Sequence, residues 1–96
     1  MFVVAARFDL HLPGPRSLKE KRAIVKPIVE GSRRRFAVSV AEVDHQDRWQ
    51  RAAIGVAVVA SDRSLAEHVL DGVERFVWSF PEVEVVGSDR MWLDDE

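Results

Sequence analysis

The densest group of potential metal ligands and acid–base groups lies in one short segment, residues 42–47. Its four side chains of this kind are those of Glu42, Asp44, His45 and Asp47. Imidazole and carboxylate groups at this spacing could hold a divalent metal or transfer a proton. Nearby carboxylates on a loop more often accept hydrogen bonds from their own backbone. A metal would also need ligands from elsewhere in the fold, and the sequence alone does not place His11 or His68 there.

Two interpretations of this segment stand side by side. In the first, residues 42–50 are architectural: Asp44 and Asp47 cap backbone N–H groups, and His45 or Trp49 packs at the end of a sheet. In the second, Asp44, His45 and Asp47 serve a small metal-dependent or acid/base enzyme. We expect the first, with no catalytic residue, no metal and no cofactor, and keep the enzyme as the alternative.

Other catalytic or membrane chemistry finds little support in the composition. The chain has no cysteine, which excludes disulfides, thiolate metal sites and cysteine nucleophiles. Its five glycines fit neither the GxGxxG pattern nor the P-loop pattern. The apolar run at residues 1–6 is too short for a signal peptide or a membrane span, so we expect a cytoplasmic protein without membrane contact.

The spacing of apolar residues predicts the elements that position these groups. Alternation predicts strands over residues 2–11, 36–43, 51–60 and 82–93, and helical periodicity predicts helices over 17–34 and 62–80. Pro27 should kink the first helix without ending it, and the acidic residues 94–96 should form a frayed tail. The order βαββαβ predicts a single α+β domain of the ferredoxin-like type over residues 1–96. Right-handed connections then give an antiparallel sheet of order 4-1-3-2 with both helices on one face.

The first helix carries most of the positive charge. Ser17 and Glu20 fit a capping box, in which each side chain bonds the backbone N–H of the other residue. The candidate phosphate-binding cations on and after its outer face are Lys19, Arg22, Lys26, Arg33, Arg34 and Arg35. Residues 1–41 contain nine basic and three acidic side chains, a net charge of +6. Residues 42–96 contain five basic and thirteen acidic side chains, a net charge of −8, so the chain as a whole has a net charge of −2. This uneven distribution of charge has three interpretations: the basic helix binds an anionic partner, its charged face is simply solvated, or opposite charges pair with each other within one chain or across a dimer.

The sheet face away from the helices should be nearly free of aromatic side chains. RNA-recognition motifs stack bases on aromatic residues of that face. Here the central strands instead offer small apolar residues that suit contact with a second sheet. The predicted homodimer interface consists of Val3, Ala5, Ala53, Ala57 and Val59.

Three stretches of the sequence resemble those of a known family. Residues 17–22 read SLKEKR, residues 36–47 read FAVSVAEVDHQD and residues 49–52 read WQRA. Together they resemble the YlxP-like family, small bacterial proteins of a domain of unknown function, and the resemblance covers nearly the whole chain. It implies a ferredoxin-like fold and a dimer. It also implies a link to ribosome maturation or translation, because genes of the family often lie beside that for ribosome-binding factor A. It supplies no catalytic residue.

These observations predict a non-enzymatic, homodimeric module that docks a macromolecular partner. RNA or a ribosomal subunit would contact the basic helix through its phosphates, without reading bases. The loop that contains Glu42, Asp44, His45, Asp47 and Trp49 has a role that the sequence leaves open between architecture and function.

Overall fold

The structure is a computed structural model that describes residues 1–93, so the predicted acidic tail at residues 94–96 lies outside the described residues. Its elements are β1 (Phe2–His11), α1 (Leu18–Arg35), β2 (Ser39–Asp44), β3 (Arg51–Ala60), α2 (Arg63–Trp78) and β4 (Glu84–Leu93). The strands form one sheet in the order β2-β3-β1-β4, and every neighbouring pair is antiparallel. The predicted α+β ferredoxin-like fold and its strand order are confirmed.

One face of the sheet packs against both helices. Side chains alternate between the two faces of a strand, so β1 and β3 each bury every second residue. The buried residues of β1 and β3 that face the helices are Val4, Ala6, Phe8, Leu10, Ala52, Ile54, Val56 and Val58. They meet the helical stripes that contain Val25, Ile28, Leu70, Val73 and Val77, which follow the spacing expected for an amphipathic helix. Within residues 1–93, no element covers the opposite face of the sheet.

The start of α1 follows half of the predicted capping box. Ser17 Oγ accepts a hydrogen bond of 3.0 Å from the Glu20 N–H, as predicted. Glu20 Oε1 accepts from the N–H of Arg16 at 2.9 Å rather than from that of Ser17. The carboxylate therefore ties the preceding loop to the first turn, one residue earlier than a capping box requires. Pro27 lies within α1, which continues as one helix to Arg35.

Three element boundaries differ from the predicted ones by two or more residues, for local reasons. The strand β2 begins at Ser39 instead of residue 36, because Phe36 donates its N–H to Ser32 O and packs its ring against Phe76 of α2, with ring centroids 6.2 Å apart. Helix α2 ends at Trp78, where the Ser79 N–H donates to the last carbonyls. A turn through Phe80 and Val83 follows, so β4 begins at Glu84 instead of residue 82.

Candidate nucleic-acid interface

The outer face of α1 is a mainly basic surface. Lys19, Arg22, Lys26 and Arg34 are all exposed, and none forms an ion pair with any residue of the described range 1–93. Side chains three and four positions apart lie next to one another on a helix. Lys19, Arg22 and Lys26 therefore lie next to one another, and Glu30 lies one turn after Lys26 and one turn before Arg34. We call Lys19, Arg22, Lys26 and Arg34 the α1 basic face, a mainly positive surface that Glu30 interrupts.

Arg33 and Arg35 differ from these four because each already has a partner in the chain. The Arg33 guanidinium donates a hydrogen bond of 2.9 Å to Val40 O on the edge strand β2. The guanidinium carbon of Arg35 lies 4.7 Å from the centroid of the Phe76 ring, in cation–π geometry. Both side chains keep their charge, yet they also hold α1 against β2 and α2. The six predicted cations thus comprise four free ones and two that contribute to packing.

Lys21 is the functional residue that the sequence analysis missed. Its side chain is almost fully buried, at 1% exposure. Lys21 Nζ lies 2.8 Å from Glu42 Oε2 and also donates a hydrogen bond to the backbone carbonyl of His45. A buried ammonium group requires such partners, because desolvation would otherwise favour its neutral form. Lys21 thereby links the two sequence motifs, residues 17–22 and 36–47.

The helical spacing contains the signal that would have found Lys21. Positions 21, 25, 28 and 32 lie on one stripe of α1, and all four are buried. A lysine in the middle of an apolar stripe predicts a buried ion pair, and Glu42 is a carboxylate on the neighbouring strand.

The motif loop, residues 42–50, is held by backbone and ionic contacts. Asp44 Oδ1 accepts a hydrogen bond of 2.8 Å from the His45 N–H, which supports the predicted capping role of Asp44. His45 adopts a left-handed backbone conformation with φ 61°, which is uncommon outside glycine. The carbonyl of this strained residue accepts from both Lys21 Nζ and the Arg48 N–H. Those bonds hold the turn in place.

An ionic network on the open sheet face anchors the same loop from the other side. Arg7 Nη2 lies 3.0 Å from Asp9 Oδ1 and 3.2 Å from Asp44 Oδ2. The hydrogen bond from the His45 N–H, followed by that from Arg7, lowers the pKa of Asp44 below its usual 3.8. Asp44 therefore stays ionised at neutral pH and acts as an acceptor and an ion-pair partner.

The remaining predicted loop residues occupy different positions. Asp47 is exposed and accepts no hydrogen bond from a described residue. Trp49 is 51% exposed, so it leaves half of its surface in solvent instead of covering the sheet end. His11 pairs with Glu84 at 2.7 Å, and His68 is exposed on α2. Across residues 1–93, no three His, Asp or Glu side chains converge as a metal site would require.

The open face of the sheet is divided into an apolar half and a charged half. Register places Val3 between Val59 and Leu93, and Ala5 between Ala57 and Met91. We call these six residues the apolar patch. Val59, Met91 and Leu93 are each more than 60% exposed. Four of the five predicted interface residues thus lie together.

Ala53 does not belong to the apolar patch. It is fully buried within one chain and pairs with Asp9 and Asp44, in the charged half. Its side chain is therefore not available to a partner copy. The strand alternation placed it on the correct face, but it did not show that neighbouring side chains would cover it.

The fold and this surface define a class of protein: a small ferredoxin-like α+β domain with one free basic helix face and one uncovered sheet face. Residues 3–90 match the family described as "Protein of unknown function (DUF503)". The chain belongs to this family. It is 47% identical over 77 residues to "Uncharacterized protein YlxP" of Bacillus subtilis (strain 168), an alignment that covers 80% of this chain and 84% of that protein.

A solved structure supports the fold alone. The chain is similar, with a TM-score of 0.50 and 20% identity, to a C-terminal segment of the alpha subunit of aIF2 from Pyrococcus abyssi. The similarity covers 98% of this chain and 50% of that one. Within the part of the chain that the structure describes, neither helix is long and apolar enough to span a membrane.

Proposed function

We propose that the protein is a non-enzymatic, homodimeric module that docks RNA, in a ribosome-associated setting in the cytoplasm, through the α1 basic face. The observation that carries the proposal is that Lys19, Arg22, Lys26 and Arg34 are exposed and unpaired among the described residues. Clustered lysine and arginine side chains attract phosphates and release the counterions condensed on them. This term favours an orientation in which α1 faces the RNA.

The net charge of the chain gives this docking its direction. At −2 overall, the protein has no general attraction for a polyanion. The basic surface is local: Glu42 borders it beside Arg22 and Lys26, whereas Glu67, Asp71 and Glu74 lie on α2. Attraction at α1 and repulsion at the acidic surfaces would together orient the protein on the phosphate backbone.

The open sheet face is unsuited to stacking bases. Its central positions are Val3, Ala5, Gly55, Ala57 and Val59, none of which is aromatic. Trp92 lies on the helix side of β4, with the Arg63 guanidinium carbon 4.0 Å from its ring centroid. Binding through α1 should therefore depend on phosphates and vary little with RNA sequence.

The apolar patch supports the homodimer. It has small alanines between larger exposed side chains, and a face that contacts itself about a two-fold axis must accommodate its own shape. A second copy of the chain would remove Val59, Met91 and Leu93 from water at the same time. Burial of apolar surface stabilises by roughly 25 cal/mol per Å². The α1 basic faces of both copies would remain accessible, because α1 lies on the other side of the sheet.

The RNA proposal is tested by reversing charge on α1. Lys26→Glu should weaken binding of ribosomal RNA and flatten the dependence of log Kd on log salt by roughly one unit. Lys19→Glu/Lys26→Glu should have a larger effect. The matched control is Arg75→Glu, which changes net charge equally at an exposed position of α2 and should leave Kd nearly unchanged. Equal binding by wild type and the double variant, or no binding by wild type at low salt, contradicts the proposal.

The dimer is tested by placing a charge in the apolar patch. Ala57→Glu should yield monomers, or insoluble protein, because an unpaired carboxylate would be buried between the sheets. Ser64→Glu adds the same charge at an exposed position of α2 and should leave the dimer intact. Light scattering at micromolar concentration measures both. A stable, soluble wild-type monomer contradicts the dimer.

A further inference from the structure

A second surface feature lies at the end of the sheet, away from the apolar patch. It is an open pocket of about 570 Å³ lined by His11, Asp47, Arg48, Trp49, Gln50 and Arg51. This volume falls within the range of pockets that bind small molecules and parts of larger ligands. The α1 basic face contributes none of these residues, so the phosphate docking proposed above leaves the pocket unexplained.

The pocket combines an aromatic ring with two cations that have no acidic partner. Trp49 presents about half of its side chain to solvent, and neither Arg48 nor Arg51 forms an ion pair within residues 1–93. Arg51 Nε is buried and has no hydrogen-bond partner among the described atoms. The positive charge of Arg51 is therefore not compensated within the described residues, and the part of its side chain that lines the pocket can attract an anionic ligand.

The frame around Trp49 is rigid. Gln50 Nε2 donates to Pro13 O at 3.2 Å and to Pro15 O at 3.3 Å, and Gln50 O accepts from the Leu12 N–H at 3.0 Å. On the other side, the Arg48 N–H donates to His45 O. Trp49 therefore lies between two residues whose backbones are already held. Because the backbone on both sides of Trp49 is already ordered, stacking of a flat ligand on its ring would cost little backbone conformational entropy.

A nucleotide fits this combination of groups. Bases stack on aromatic rings regardless of their identity, and arginine is well suited to phosphate oxygens. The Asp47 carboxylate accepts hydrogen bonds only, so it suits a ribose hydroxyl or a base amino group and disfavours additional phosphates. His11 is already engaged by Glu84 at 2.7 Å.

The pocket is connected to α1 through the loop that precedes the helix. The Gln50 bonds to Pro13 and Pro15 place the pocket against residues 13–15, and Arg16 and Lys19 follow directly in the chain. We propose that this pocket binds one unpaired nucleotide of an RNA strand, with its base on Trp49 and its phosphate on Arg48 and Arg51, while the strand continues along the α1 basic face. The inference rests on the proposed function and adds to it a preference for single-stranded RNA.

The experiment compares two RNAs by fluorescence anisotropy: a twelve-nucleotide oligouridylate and a twelve-base-pair duplex. Trp49→Ala should raise the Kd for the single strand roughly ten- to hundredfold and leave the Kd for the duplex within about twofold of wild type. The reason is that stacking is lost only where a base is free. Its salt slope should stay that of wild type, since no phosphate contact is removed. Trp49→Phe keeps a ring and should restore most of the affinity.

The matched control is Trp78→Ala, which removes an equally exposed tryptophan from α2, beside Asp71 and Glu74. It should bind both RNAs as wild type does, and its intrinsic fluorescence should still be quenched by the strand. Circular dichroism confirms that each variant is folded. If Trp49→Ala and Trp78→Ala lose the same amount of affinity for the single strand, or if neither loses any, the proposal of a nucleotide pocket is wrong. If uridine monophosphate binds as tightly as the oligouridylate, the ligand of the pocket is a free nucleotide and the proposal of an RNA strand is wrong.

The pocket and the basic face can fail separately. If Lys19→Glu/Lys26→Glu weakens strand and duplex while Trp49→Ala changes neither, the pocket is overturned and docking through α1 stands. If Trp49→Ala weakens the strand while the α1 variant has no effect, the pocket is supported and docking through α1 is overturned. If wild type binds neither RNA at low salt, both are overturned.

Discussion

The outer faces of the two helices carry charge in opposite ways. On α2, Glu67 lies 3.8 Å from Arg63, and Asp71 and Glu74 lie 2.8 and 3.3 Å from Arg90 of β4. On α1, the four cations of the basic face have no such neighbour among the described residues. Both helices are amphipathic, so the hydrophobic pattern alone does not separate them. The pairing of their charges does.

This difference teaches how to interpret a charged helix face. A face whose charges are bonded to neighbouring elements contributes to the fold, and its field is largely cancelled at short range. A face whose charges have no neighbour gains little for the folded chain and keeps its full attraction for a counter-charge. The acidic side chains of α2 should therefore repel an RNA backbone less strongly than their number suggests, because Arg90 compensates two of them.

Lys21 differs from the cations of the α1 basic face because it is buried and paired with Glu42. Its substitution should have the largest effect on stability of the variants that test the comparison. Lys21→Ala should lower the free energy of unfolding by about 3 kcal/mol, because removing one member of a buried pair leaves the other charge unpaired. We take the lower end of the usual range because Glu42 keeps 22% of its side chain exposed. Urea unfolding followed by circular dichroism measures the change.

Two variants sharpen the Lys21 test. Lys19→Ala removes a cation from the α1 basic face and should change stability by no more than about 0.5 kcal/mol. Lys21→Met/Glu42→Gln removes both charges and should recover much of the loss. If Lys21→Ala and Lys19→Ala cost the same, Lys21 does not hold the motif loop.

Arg90 tests the other side of the comparison with a smaller effect. Arg90→Ala should destabilise by about 1 kcal/mol, the upper value for a surface ion pair, since the side chain bonds two carboxylates and packs its stem on the sheet. The loss should shrink at high salt. RNA affinity should also fall slightly, because Asp71 and Glu74 become uncompensated. Arg75→Ala, an exposed and unpaired arginine of α2, is the control, and a loss independent of salt would contradict the ionic explanation.

The fold could be predicted from the sequence because its signals are local. Alternation in β1 and β3, the Ser17 cap and the two amphipathic periods all depend on residues close together in the chain. The errors lie where a distant partner decides. Phe36 leaves the strand pattern for Phe76 of α2, forty residues later in the sequence.

The candidate site could be predicted only in part for the same reason. The cations of α1 were found by type and spacing, but whether each had a partner depended on other elements. Arg33 turned out to bond Val40 O, and Lys21 turned out to lie beneath the motif loop. The pocket at Trp49 combines residues from β1, the loop and β3, and no spacing within one segment indicates it.

The smallest expected effect concerns Asp44. This residue is an ion-paired side chain on the open sheet face. Its pKa is lowered by the His45 N–H and by Arg7, so the ionised form is favoured in the folded state. The resulting stability is present above the unfolded pKa, near the usual 3.8, and is lost as pH falls through the lower folded pKa. The difference in unfolding free energy between wild type and Asp44→Asn should therefore be constant from about pH 5 upward and shrink in more acidic solution.

The control for Asp44 is its neighbour in the motif. Asp47 accepts no hydrogen bond from a described residue, so Asp47→Asn should give a difference that does not follow this pH course. Urea titrations at a series of pH values compare the two variants. In Asp44→Asn the amide oxygen would still accept a hydrogen bond from the His45 N–H, so the measured difference reports mainly the charge shared with Arg7. If the unfolding free energies of both variants depend on pH in the same way, the ion pair of Arg7 with Asp44 does not hold the loop. The charges of Arg7 and Asp44 would then contribute as little to stability as the unpaired cations of α1.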